Sequence, residues 1–115
     1  MANGFDIVIR QGETFSLVVH VDHIASLSGY SARMQGRGQH RSTSTVFSWS
    51  STGGQMVLTS HGNHGDITIT VAATATDDLT APYSGVYDLE IESSAGVVTR
   101  LLEGSFYVTP EVSRA

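Results

Sequence analysis

The chain has 115 residues, no cysteine and a formal net charge of −5. That length fits one domain, the missing cysteines exclude disulfides and thiolate metal sites, and the acidic balance argues against a dedicated nucleic-acid binder. The longest apolar runs, such as Ile7-Val8-Ile9, fall far short of the ~20 residues of a membrane helix, and no basic region precedes an apolar stretch at the N-terminus, so no membrane partner and no signal peptide are expected.

Short alternating runs separated by Gly, Ser, Asn and Asp predict an all-β sandwich. The first strand is Phe5 to Arg10, with Phe5, Ile7 and Ile9 on one face. After the turn Gln11-Gly12-Glu13, Thr14 to Asp22 alternates most clearly. Phe15, Leu17, Val19 and Val21 point one way, and Ser16, Val18, His20 and Asp22 the other. A connection with Leu27 tucked beneath it leads to a strand over Tyr30 to Arg37. There Tyr30, Ala32 and Met34 face inward and Ser31, Arg33 and Gln35 outward.

Gly36 to Thr45 has no large apolar residue and reads as a mobile or partner-ordered loop. Short strands follow over Val46 to Ser50, carrying Phe47 and Trp49, and over Gln55 to Thr59. Asp66 to Ala72 alternates again, with Ile67, Ile69 and Val71 on one face. Ala73 to Leu79 is the one place for a helical turn, with Thr76 as cap and Asp77-Asp78 in its first turn. Gly85 to Glu92 is a strand that leaves Asp88, Glu90 and Glu92 in water. Val97 to Thr109 is a long last strand in which Gly104 marks a bulge or bend. The tail from Pro110 to Ala115 is polar and extended. The core predicted from these faces is Phe15, Leu17, Val19, Tyr30, Ala32, Met34, Ile67, Ile69, Leu89 and Ile91.

Few residues point to chemistry. His61 and His64, followed by Asp66, have the spacing of a partial metal site, but a coordination shell needs three or four converging ligands. A polar turn is the simpler reading, so no metal or other cofactor is expected. His20 and His23 read as a solvated strand face. No serine sits in a Gly-x-Ser-x-Gly turn before a helix, and no phosphate-binding glycine loop is present. The chain reads as non-catalytic. All six basic residues are arginine, which suits planar ion pairs at interfaces; arginine-rich codon usage would give the same composition. Arg33, Arg37 and Arg41 make a local basic cluster in an acidic chain and read either as an ordinary surface loop or as an anchor for an acidic neighbour. Trp49, Tyr83, Tyr87 and Tyr107 offer either a sugar-stacking platform or core packing.

Several stretches resemble a family of small virion proteins of tailed bacteriophages. They are Val86-Tyr87-Asp88-Leu89-Glu90-Ile91, Gly96-Val97-Val98-Thr99-Arg100-Leu101-Leu102-Glu103-Gly104 and Val108-Thr109-Pro110-Glu111-Val112-Ser113-Arg114. Gly12-Glu13-Thr14-Phe15 and Leu27-Ser28-Gly29-Tyr30-Ser31-Ala32-Arg33-Met34-Gln35 are similar to the start of the immunoglobulin-like N-terminal domain of phage baseplate upper proteins. In those proteins the leucine-x-glycine-tyrosine segment leads into a central strand. The likeness runs over nearly the whole chain and is weakest from Gly36 to Ser60.

The resemblance implies an immunoglobulin-like antiparallel β-sandwich with one short helical turn. It also implies a non-catalytic adaptor in the tail tip, baseplate or neck of a virion assembled in the host cytoplasm. The expected partners are other phage structural proteins and further copies of the chain in a symmetric assembly, and the chain, ending at Ala115, would be free-standing. A capsid decoration protein and a carbohydrate- or host-surface-binding module are the alternatives. The expected partner-binding residues are Arg33, Arg37 and Arg41 in the loop region, and Pro110, Glu111, Val112 and Arg114 in the tail.

Overall fold

The computed structural model describes residues 3–22, 26–39, 41–61 and 64–111. The strands in chain order are β1 (Asn3–Gly4), β2 (Ile7–Arg10), β3 (Phe15–Asp22), β4 (Ser31–Arg37), β5 (Phe47–Ser50), β6 (Met56–Ser60) and β7 (His64–Val71). The helical turn α1 (Ala73–Asp77), β8 (Tyr83–Glu92) and β9 (Val98–Thr109) complete the chain.

Two sheets form. The larger runs β1-β9-β8-β4-β5, with β2 also on β9, and the smaller runs β3-β7-β6. β1 and β2 lie parallel to β9, and every other pairing is antiparallel. This is the strand order of an immunoglobulin-like sandwich, with three strands opposing a sheet extended by one further strand. The first strand sits beside the last rather than beside β3.

Period-two alternation decides the packing. Burial alternates without interruption along β4 and, to Val71, along β7. Ile9, Met34, Ile67, Ile69, Leu89 and Val108 are fully buried in one continuous core. Aromatic rings bridge the sheets: Phe15 of β3 lies 5.4 Å from Trp49 of β5, which stacks on Phe47 at 4.1 Å. Phe47 in turn meets Phe106 edge-on at 5.1 Å. Of the predicted core, Phe15, Leu17 and Tyr30 are only partly buried and pack against it. Phe106 and Val108, absent from that set, are among its most buried members.

Three local expectations are corrected. Phe5 is exposed instead of inward. Its carbonyl accepts the hydroxyl of Tyr87, so the backbone there turns the carbonyl rather than the ring toward the protein. The irregularity in β9 lies at Leu101, the unpaired residue between Leu102, opposite Leu89, and Arg100, opposite Glu90. Gly104 serves a close approach instead, because a Cβ there would run into the Phe5 carbonyl.

The third correction concerns Thr76, which is not a helix cap. α1 begins three residues earlier, after Ala72, with no side-chain cap. Thr76 is wholly buried. Its hydroxyl faces the carbonyls of Glu13 (2.8 Å) and Ala73 (3.0 Å) as donor and accepts the Gly12 N–H (3.1 Å). The helical turn thereby pins the β2–β3 turn. Thr76→Val keeps the shape and leaves those groups unpaired, so it is expected to destabilise the chain by about 1–3 kcal/mol in a denaturant titration.

Candidate functional site

Two polar surfaces lie on opposite outer faces of the sandwich. The first is on the large sheet, where the outward residues of β4, β8 and β9 form a charged row. Arg33 stands opposite Glu90, and Glu90 opposite Arg100. The Arg33 guanidinium donates to Glu90 (3.0 Å) and Glu92 (2.9 Å). These partners raise its pKa further, the Glu92 hydrogen bond most, against a smaller opposing effect of burial. Arg100 lies 3.5 Å from Asp88 and 3.2 Å from Glu103. Burial, and then the charge of Glu90, push the Asp88 carboxyl above its ordinary value, while Arg100 and Arg33 oppose them. Gln35, Arg37, Asp88, Glu90, Arg100 and Glu103 line a shallow depression of about 270 Å³. Such half-exposed pairs contribute about 0–1 kcal/mol each, so an incoming charged partner can exchange with them at small cost.

Of the three arginines expected to meet a partner, Arg33 and Arg37 lie on β4, so the strand takes in Gly36 and Arg37 from the predicted loop. Arg37 donates to the Ser42 carbonyl (2.9 Å) and to Gln35 Oε1 (3.0 Å). It therefore ties down the start of the 38–46 loop, where Ser42 also bonds Gln39 through both its N–H and its hydroxyl. Arg41 is exposed. In the tail, the Glu111 N–H donates to Gln11 Oε1 (3.0 Å), and Gln11 also holds the carbonyls of Thr109 and Leu79. Pro110 and Glu111 thus run back over the β2–β3 turn, at a distance in sequence and topology from the arginines of β4. Val112 and Arg114 lie outside the described residues. The four aromatics do not gather into a platform: Trp49 and Tyr87 belong to the core, Tyr83 is half-buried, and Tyr107 is the exposed one.

The second surface is the outer face of the small sheet, at the end where β6 turns into β7. Strand pairing places His20 directly opposite Asp66, and Asp22 opposite His64. His20 Nδ1 donates to Asp66 Oδ1 at 2.5 Å, and His61 Nε2 lies 3.0 Å from Asp66 Oδ2. The His61 and His64 rings stack at 5.0 Å, and His20 meets His64 at 6.1 Å. Burial raises the Asp66 carboxyl, but the His20 hydrogen bond and the charges of His20, His61 and His64 outweigh it and hold the group below its usual range. The spacing of His61, His64 and Asp66 is visible in the sequence, whereas His20 reads there as part of a solvated strand face and joins them across the β3–β7 ladder. The signal was available in the shared alternation of β3 and β7, which only the register turns into a contact. His23 and His40 lie outside the described residues.

No protein-family model matches the chain, and no curated protein matches it in sequence.

Proposed function

We propose that the chain is a non-catalytic structural component of a tailed-phage virion, an adaptor that links neighbouring virion proteins in the tail tip, baseplate or neck. The observation that carries this reading is the setting of the Leu27-Ser28-Gly29-Tyr30 segment, the most telling part of the resemblance. Leu27 is buried, Gly29 takes a positive φ of 80° that side chains disfavour, and Tyr30 N–H closes the turn onto the Leu27 carbonyl. The chain then enters β4, which lies between β8 and β5 inside the large sheet. A leucine-x-glycine-tyrosine segment feeding a central strand of an immunoglobulin-like sandwich is what the likeness to baseplate upper proteins implies.

The surfaces suit such a role. β5 ends the large sheet and β6 the small one, and both are short edges that a neighbour's strand can extend. The exchangeable charges of the β4–β8–β9 row favour specificity and register over raw affinity. Arg33, Arg37 and Arg41, together with Pro110, Glu111, Val112 and Arg114, remain the proposed attachment residues.

The test is incorporation into particles of a phage carrying the gene. Arg41→Ser is the cleaner arginine variant, since Arg37 also holds its own loop. Arg41→Ser and deletion of residues 111–115 should each leave the circular dichroism spectrum unchanged and reduce copy number in purified virions. Normal copy number for both would remove the proposed attachment sites. Absence of the wild-type chain from virions would remove the virion reading altogether.

A further inference from the structure

We propose that His20, His64 and Asp66 form a surface site for a divalent transition metal of the zinc class, with His61 positioning the carboxylate. One donor atom from each of the three lies within 4.8 Å of the others. Their placement comes from strand pairing: His20 and Asp66 face each other across the β3–β7 ladder, and His64 precedes Asp66 by two residues on the same face. Tetrahedral zinc with bonds of ~2.0–2.1 Å sets its ligand atoms roughly 3.4 Å apart. The 2.5 Å separation of His20 Nδ1 from Asp66 Oδ1 and the 4.8 Å bound on the group bracket that spacing.

The donor set selects the ion. Two imidazoles and one carboxylate suit zinc, cobalt, nickel or copper, whereas calcium and magnesium call for oxygen-rich shells. A carboxylate ligand also needs an outer partner to fix its orientation. His61 supplies it, its Nε2 lying 3.0 Å from Asp66 Oδ2 while Oδ1 faces His20. The His61 N–H bonds the His64 carbonyl at 2.8 Å, which ties the positioning residue to the strand that bears two of the ligands. The His20 side chain is 69% exposed, so a hydrated ion has an open approach. Three protein ligands leave a fourth position to solvent.

The experiment uses the full chain without a purification tag, stripped by chelator and titrated near neutral pH. Zinc is the ligand and cobalt(II) the optical probe. The expected result is saturation at one equivalent, with the intense visible bands of low-coordinate cobalt and selective movement of the His20 and His64 imidazole signals in NMR spectra. His20→Gln, His64→Gln and Asp66→Asn should each weaken binding by at least the ~10–100-fold that loss of an outer-shell partner costs. His61→Gln should weaken it less and leave the stoichiometry at one. Equal affinity in the His20→Gln/His64→Gln double variant would overturn the proposal. So would unchanged His20 and His64 signals in wild-type protein under excess zinc, a measurement that needs no substitution to fold.

Discussion

Leu89→Ala should cost about 4 kcal/mol, near the top of the range for a buried leucine, whereas Leu17→Ala should cost about 2. Both leucines sit on inward faces of alternating strands, and the difference lies in what surrounds them. Leu89 is fully buried on β8, which has β4 and β9 on its two sides, and pairs with Met34 and Leu102. Its neighbours are held by two ladders and cannot collapse into the space left behind. Leu17 is partly exposed on β3, an edge of the small sheet, with Ile69 as its one ladder partner. Solvent and edge movement can fill part of that cavity. For a domain whose whole stability is ~5–15 kcal/mol, the first change removes a large share and the second a modest one. Paired denaturant titrations check the order. A neutral Leu89→Ala, or a costlier Leu17→Ala, would mean that β8 does not carry the centre of the core.

The same contrast marks what could be read from the chain before its structure. Which residues share a face was legible along β3, β4, β7 and β8, because the side-chain period of a strand is a local property. Ala32 and Met34, Ile67 and Ile69, Leu89 and Ile91 all lie inward as their spacing requires. What failed depends on partners distant in sequence. Phe5 has the parity of an inward residue, yet Tyr87 takes its carbonyl, from 82 residues away. Thr76 looked like a cap because Asp77 and Asp78 follow it, but its hydroxyl serves a turn 63 residues earlier. His20 belonged to an unremarkable polar face until β7 lay beside β3. The arginines behaved similarly: Arg33 points outward as expected, and only the β4–β8 register shows Glu90 and Glu92 receiving it.

Gly104→Ala should release the N-terminal strand and cost about 3–4 kcal/mol, combining overpacking with the loss of two or three hydrogen bonds. The added methyl runs into the Phe5 carbonyl, at the point where β1 gives way to β2. Three interactions converge there: Phe5 N–H on the Glu103 carbonyl, Ser105 N–H on Asp6 Oδ1, and the Tyr87 hydroxyl on the Phe5 carbonyl. A methyl group cannot be accommodated without displacing that segment, and its contacts to β9 and Tyr87 go together. Alkaline titration gives an independent readout. Burial first, and the charge of Asp6 second, push the Tyr87 hydroxyl up to about 12. The unfolded chain releases this proton near pH 10, before the folded chain does, so above that point the unfolded state binds fewer protons and stability falls as pH rises. Wild-type stability should hold below pH ~10 and then decline by up to about 1.4 kcal/mol per pH unit until pH ~12. In Gly104→Ala, with the Phe5 segment displaced and Tyr87 more open to water, the decline should be shallower. A Gly104→Ala chain as stable as wild type, with the same alkaline slope, would show that the N-terminal strand is not clamped at Phe5.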